Sequence, residues 1–247
     1  VWKIFKQLDT AFDEIDKVCK KTPIYINWYP VNNIPLTFEY EQRGLVNFKN
    51  DWEIVPERSL VIPSAHGVGP DFYKKAAQKH CTVVADGTCQ LVTRVHNLAI
   101  NAEEAGKQII YVGKKNHPET EGVRNEIKNP GNFVLIEEEQ DVSNLNLPSE
   151  LPKVVYSQTT LSTREIRKQY QALKAKFPGI EIPSRWDICP ATDSRQMAVD
   201  DLLLKADSLI VVGSKISHNS SELMMIFEKE GKPSHLIDLP DDVDPNW

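Results

Sequence analysis

The 247-residue sequence predicts an α/β protein with mainly parallel sheets. Two observations carry that expectation. Short, wholly apolar runs alternate with helical patterns, as they do when strands are buried on both faces beneath covering helices. Each run then ends in a cluster of small polar or metal-capable residues before the next helix begins, which is where open parallel sheets place their ligands.

Trp2, Ile4, Phe5, Leu8, Phe12, Ile15, Val18 and Cys19 recur at close to 3.6 residues, so the chain opens on an amphipathic helix. A strand, Ile24-Tyr25-Ile26, follows. Leu60-Val61-Ile62 runs into Ser64-Ala65-His66-Gly67, and Thr82-Val83-Val84 runs into Asp86-Gly87-Thr88-Cys89 with a helix from Leu91 to Ala105 behind it. Ile109 to Val112 leads to Lys115-Asn116-His117-Pro118-Glu119. Val154-Val155-Tyr156 leads to Gln158-Thr159-Thr160 and a helix whose Ser162 and Glu165 are spaced as a capping box. Leu209 to Val212 leads to Ser214–Ser221 and a helix through Phe227. Residues 140–152 and 178–186 are polar, Pro-containing and suited to linkers. They divide the chain into three α/β lobes, residues 1–85, 86–186 and 187–247.

Composition excludes several classes of function. Lys and Arg number 29 against 35 Asp and Glu, a net charge of −6, and no basic stripe offers the clustered cations that nucleic acid requires. The longest apolar run, Leu223 to Phe227, is far too short to span a membrane. No signal-like stretch opens the chain, so the expected compartment is the cytoplasm. Of the four cysteines, Cys19 and Cys81 fall on apolar patterns and read as small buried groups, whereas Cys89 and Cys189 sit in polar clusters. Cys81 and Cys89 bracket a strand about 20 Å long and so cannot share one metal centre.

His66, Cys89, His117, Glu119, Thr159, Ser217 and Asn219 all follow strand ends, and several precede helices whose free N–H groups favour an anion such as a phosphate ester. His66, His117, Cys89 and Glu119 would also suit a divalent ion such as zinc in a hydrolase, although no short-range ligand spacing marks that chemistry.

In order and approximate spacing, these clusters resemble the 4-hydroxy-3-methylbut-2-enyl diphosphate reductase family of the non-mevalonate isoprenoid pathway. The matching strings are Ser64-Ala65-His66-Gly67-Val68, Asp86-Gly87-Thr88-Cys89, His117-Pro118-Glu119-Thr120-Glu121-Gly122 and Gln158-Thr159-Thr160-Leu161-Ser162. Asp187-Ile188-Cys189-Pro190-Ala191-Thr192, Arg195-Gln196, Val212-Gly213-Ser214-Lys215 and Asn219-Ser220 complete the series.

The resemblance implies three pseudo-threefold-related lobes around a central cavity. It also implies a 4Fe-4S iron–sulfur cluster held by one cysteine from each lobe, and an allylic diphosphate whose hydroxyl leaves as water after two electrons and protons enter. Ferredoxin or flavodoxin is the implied electron donor. Carried over by position, Cys89 and Cys189 are cluster ligands, Glu119 is the proton donor and Thr159 lies on its relay. His66, His117, Ser217 and Asn219 grip the diphosphate, with Asn32 in place of a family histidine and His218 in place of a serine. Gly87 stands where alanine is usual. The family's Gly-Phe-Cys string, with its first cysteine, aligns immediately upstream of Val1, and its Ala-Gly-Ala-Ser stretch aligns beyond Trp247. A diverged member that keeps the fold and an anion pocket but not turnover is the alternative implied by these substitutions.

Overall fold

The structure is a computed structural model that describes residues 2–18, 22–183 and 187–247. The elements run α1 (Trp2–Val18), β1 (Ile24–Ile26), α2 (Ile34–Arg43), β2 (Leu45–Asn47), β3 (Leu60–Ile62), α3 (Pro70–Gln78), β4 (Thr82–Val83), α4 (Gln90–Glu104), β5 (Gln108–Val112) and α5 (Pro118–Glu126). They continue with β6 (Phe133–Ile136), α6 (Glu139–Asn144), β7 (Lys153–Ser157), α7 (Thr163–Lys176), α8 (Pro190–Leu203), β8 (Leu209–Val212), α9 (His218–Lys229) and β9 (Ser234–Ile237). All strand pairings are parallel. Among the described residues they form three separate sheets, ordered β2-β1-β3-β4, β6-β5-β7 and β8-β9.

The central sheet is the best covered. Every residue of β5 and β7 is buried. Successive side chains point to opposite faces: Ile110, Val112 and Val155 pack with α6 and α7 through Val142, Ile166, Tyr170 and Leu173. Ile109, Tyr111, Val154 and Tyr156 pack with α4 and α5 through Val95, Ala99 and Val123. In the first sheet Ile4, Leu8 and Phe12 of α1 cover Ile24, Ile26 and Ile62. On the other face Phe48, Trp52 and Phe72 enclose Val61. Each such aliphatic side chain contributes about 1.5–3 kcal/mol by leaving water.

Double-sided burial does not extend to every strand. The third sheet buries Leu209 and Val211 against Leu223 and Phe227, while Ile210 and Val212 stay 48% and 77% exposed. β4 is an edge strand with both residues exposed. Three further corrections concern local structure. The stretch 140–152 opens inside α6, because Asp141 Oδ2 accepts the N–H groups of Glu137 and Glu138 at 2.9 and 3.0 Å and Val142 is buried in the core. Ser162 is the N-cap of α7 but makes no side-chain capping bond; Gln196 Oε1 accepts the Thr163 N–H instead, at 3.3 Å. The strands β2, β6 and β9 have no counterpart in the apolar-run reading of the sequence.

Cys19 and Trp186 lie outside the described residues. Cys81 is half-buried beside the Phe48–Trp52–Phe72 cluster, with Sγ 3.7 Å from the Pro56 carbonyl. No helix among the described residues is long and apolar enough to cross a membrane.

Candidate active site

Strand ends and helix starts from all three sheets line one cavity of about 440 Å³. Its wall includes Asn32, His66, Cys89, His117, Glu119, Thr159, Cys189, Ser217, His218 and Asn219. The residues expected to bind substrate, transfer the proton or hold iron therefore reach the same space, although they span nearly the whole chain.

Backbone ties hold this wall in place. After β3, Asn27 Oδ1 accepts the buried Ser64 N–H at 2.8 Å, and Gly67 N–H closes the turn onto Ser64 O at 3.2 Å. Gly67 has φ +80°, and a Cβ there would stand 2.9 Å from His96 Nε2, so only glycine lets the turn that carries His66 lie this close to α4. The Cys89 N–H donates to Ala65 O at 3.0 Å, joining that turn to the start of α4. Gly87 is explained by its neighbours: a Cβ would meet Ile4 Cδ1 and the Pro63 carbonyl oxygen at 2.2 Å each.

Glu119 lies in the first turn of α5 and is 1% exposed. Its Oε1 accepts the Thr159 N–H at 2.7 Å, and its Oε2 accepts the Thr159 hydroxyl at 3.1 Å. Burial pushes the Glu119 carboxyl up to about 7 against the opposing pull of those two bonds, with the Asp187 charge adding to the rise. A carboxyl that titrates near neutrality is suited to general acid work. Thr159 also accepts the Cys189 N–H on its carbonyl at 2.8 Å, so one residue joins the acid to the start of α8.

His66 and His117 stand edge to face, with ring centroids 5.8 Å apart. Burial lowers His66 to about 4. Burial lowers His117 to about 3, aided by His66 and His218. Both imidazoles are therefore neutral at pH 7. His117 caps α5, its Nδ1 accepting the Glu119 N–H at 3.2 Å, which leaves its proton on Nε2. His66 Nδ1 is 3.4 Å from Ser64 Oγ.

Ser217 is the N-cap of α9 and accepts Ser220 N–H at 3.3 Å. His218 is the first residue of that helix rather than a loop residue, with Nε2 3.7 Å from Glu222 Oε1. Asn219 Oδ1 is buried and has no hydrogen-bond partner among the described residues.

Cys89 and Cys189 are the N-cap residues of α4 and α8, and both are free and partly exposed. Neither uses its side chain to cap, so both sulfurs stay available beside helix N-termini, whose partial positive charge favours an anionic sulfur–iron group. Two thiols in a polar, His-containing cavity fit part of an iron–sulfur ligand set. Among the described residues, no group of three His, Cys, Asp or Glu side chains converges as a metal site.

Three residues that the sequence reading quoted within its matching strings, but gave no role, line or brace the site. Arg195 lines the cavity as its one Lys or Arg among the described residues, with Nη1 donating to Ala191 O at 3.1 Å. Gln158 is fully buried and accepts Lys114 N–H at 3.0 Å while donating to Thr160 Oγ1 at 2.8 Å, which positions the loop before α5. Asp187 Oδ2 accepts Ser157 N–H at 3.3 Å, and its Oδ1 is 3.5 Å from Arg94 Nη1 of α4. That pair joins the segment before Cys189 to the helix that begins after Cys89. A strand end followed by polar residues is the signal for the predicted members and covers Gln158 too, whereas Asp187 and the mid-helix Arg195 follow no apolar run. His96, in contrast, is structural: it is buried with Nδ1 3.1 Å from Glu126 Oε1.

The family model for LytB protein matches residues 8–247. The chain belongs to the LytB protein family. Two curated LytB relatives, from Edwardsiella ictaluri and Yersinia enterocolitica, carry the name 4-hydroxy-3-methylbut-2-enyl diphosphate reductase. The first is 38% identical over 226 residues, 91% of this chain and 71% of its own. The second is 39% identical over 243 residues, 97% of this chain and 76% of its own. Among solved LytB-type structures, the E-1-hydroxy-2-methyl-but-2-enyl-4-diphosphate reductase from Plasmodium falciparum superposes with a TM-score of 0.89 at 31% identity, covering 99% of this chain and 75% of that one. The shared α/β architecture extends to a second reductase structure, with a TM-score of 0.67 at 23% identity, over 98% of this chain and 84% of that one.

Proposed function

We propose that this chain is an iron–sulfur reductase that removes the allylic hydroxyl of 4-hydroxy-3-methylbut-2-enyl diphosphate, yielding isopentenyl and dimethylallyl diphosphates and water. The observation that carries the reading is the Glu119–Thr159 couple, opening on the cavity that Cys89 and Cys189 line. The relatives named above carry the name of a reductase of this substrate, which supports the reading.

Cys89 and Cys189 would hold an iron–sulfur cluster, with its remaining protein ligand outside the described residues. When bound, the cluster supplies electrons to the allylic carbon skeleton and a Lewis-acidic iron for the departing oxygen. The chain's own residues do the rest. Glu119, about half protonated at neutral pH, delivers a proton through the Thr159 hydroxyl to the leaving oxygen; a second proton and two electrons complete the balance. Thr159 holds both carboxylate oxygens and so sets the direction of that transfer. The diphosphate binds among His66, the His117 Nε2–H, Ser217, Asn219 and the N-terminus of α9. The Asn219 side-chain amide N–H group would donate to a diphosphate oxygen there. Arg195 supplies positive charge to the cavity, and His218 a further imidazole. Asn32 offers a neutral donor, a modest change where the neighbouring histidines are themselves neutral. An acidic ferredoxin or flavodoxin is the electron donor.

A non-catalytic anion-binding member gains no support from the relatives, and the Glu119–Thr159 couple gives such a protein no use for its raised carboxyl. A zinc hydrolase needs three or four convergent ligands, a group the described residues do not assemble. Anaerobic expression with iron and acid-labile sulfide counts, followed by turnover of the hydroxylated allylic diphosphate with reduced methyl viologen, tests the proposal. A protein that holds cluster iron yet leaves this substrate untouched would overturn it.

A further inference from the structure

A second hollow lies outside the cavity just described. It measures about 1130 Å³ and runs between α4, α7 and α8. Arg94, Arg164, Arg167 and Lys168 line it against Asp193 and Asp200, an excess of positive charge on a chain whose net charge is −6. Its flank, α7, carries five basic residues and one acidic one, and Arg164, Arg167, Lys168 and Lys174 are exposed. Asp200 pairs with Arg164 at 2.7 Å, and the buried Asp187 with Arg94 at 3.5 Å. Met197, 62% exposed, adds an apolar contact at the rim.

What gives the groove a purpose is its wall. Ile188 and Pro190 line the groove, while Cys189 between them lines the inner cavity. Leu91, two residues beyond Cys89, faces both spaces. The groove is thus the outer side of the partition that carries both cysteines, one residue thick at Cys189.

We infer that this basic groove is the docking surface of an acidic electron-carrier protein, which would deliver electrons through the Leu91–Cys189 wall. The inference rests on the reductase reading above. Two successive contacts, each oxidising a reduced carrier by one electron, supply the two electrons that leave with two protons as product and water form. Such encounters are small and transient, and opposite charge governs their rate and partner choice more than buried area does. A cationic rim with an apolar lining of Leu91, Ile188, Pro190 and Met197 has that character.

Calorimetric titration of the purified protein with an acidic flavodoxin, alongside turnover driven either by that flavodoxin or by reduced methyl viologen, tests the surface. The Arg167→Glu/Lys168→Glu double variant is expected to weaken flavodoxin binding by about tenfold or more and to lower flavodoxin-driven kcat/KM by a similar factor. Viologen-driven turnover should stay within about twofold of wild type, because a small reductant needs no docking surface. Wild-type affinity should also fall steeply with added salt, and the variant's should not. Unchanged flavodoxin affinity in the double variant overturns the docking surface whatever turnover does. Absence of viologen-driven turnover in the iron-loaded wild type overturns the reductase reading instead, and the binding comparison still decides the surface.

Discussion

Glu119 and Thr159, forty positions apart, are joined at both carboxylate oxygens, with N–H···Oε1 at 2.7 Å and O–H···Oε2 at 3.1 Å. The pairing is unusual for a buried acid, because its two bonds favour the charged form while its surroundings favour the neutral one. Burial wins and holds the carboxyl up at about 7. The result is an acid protonated in half its copies at neutral pH and aimed, through a hydroxyl, at the cavity.

Glu119→Gln should lower kcat for the hydroxylated allylic diphosphate by roughly 10²–10⁴ and leave KM nearly unchanged, since the side chain's shape is kept and only the transferable proton is lost. Steady-state kinetics with a chemical reductant reads this directly. A variant with wild-type kcat would remove Glu119 from the proton path.

The same substitution has a stability signature. The unfolded carboxyl ionises near 4.5 and the folded one near 7, so the folded state holds its proton through the interval. Stability from this group is complete below 4.5 and is lost as pH rises through 7. Glu119→Gln removes that loss, and at pH 8 it should be more stable than wild type by up to about 3 kcal/mol, an advantage that shrinks towards pH 4.5. Denaturant melts at the two pH values check the sign.

The histidine pair works in the opposite direction. His66 and His117 remain neutral down to about 4 and about 3, whereas the unfolded imidazoles take up protons near 6.5. Their contribution is present above pH 6.5 and is lost on acidification. Two histidines outweigh one glutamate between pH 6.5 and 4.5, so Tm should fall over that interval. In the His66→Asn/His117→Asn variant the fall should be flattened.

Binding of a diphosphate should take up a proton at His66. An anion beside a buried neutral imidazole raises its affinity for a proton, and His117 has its Nδ1 committed to the Glu119 N–H. Titration of pyrophosphate in buffers of different ionisation enthalpy should show net proton uptake near pH 6.5, retained in His117→Asn and lost in His66→Asn. Equal uptake in both variants would place the proton elsewhere.

Cys89→Ser and Cys189→Ser should each lower iron and acid-labile sulfide sharply after anaerobic isolation, and Cys81→Ser should change neither. Cys81 is packed beside Phe48 and Trp52, away from the cavity. Iron retained in both cavity variants would show that these thiols are not its ligands.

Gly87→Ala should destabilise by about 1–3 kcal/mol, even though alanine is the usual residue in the resembling family. The added Cβ would lie 2.2 Å from the Pro63 carbonyl oxygen as well as from Ile4 Cδ1, and trimming Ile4 can relieve only the second contact. Thermal melts of Gly87→Ala with and without Ile4→Val separate the two.

Much of this protein was legible in the linear chain. The apolar runs at Ile24, Leu60, Ile109, Val154 and Leu209 are strands, and at Ile109 and Val154 the reason is that a parallel sheet covered on both faces buries consecutive residues, leaving a continuous apolar string. The polar clusters after those runs mark the site because parallel strands aim their carboxyl ends to one side, so His66, Cys89, His117, Thr159 and Ser217 could be chosen without coordinates. Strand β9 escaped notice because its half-buried Ser234 and His235 break the apolar run, and β2 because three residues flanked by Gly44 make almost no pattern.

Only the tertiary structure decided the protonation states. Glu119 is an ordinary loop carboxylate in sequence, and its raised pKa comes from burial, with the Asp187 charge adding to it against the pull of the Thr159 bonds. The neutrality of His66 and His117, the service of Asp187 and Gln158 as ties, and the basic groove behind Cys189 depend likewise on residues distant in the chain. Backbone pattern is written locally, through periodicity and turn chemistry. Desolvation and Coulomb interactions sum over everything within a few ångströms in space, and that neighbourhood exists only once the three sheets have come together.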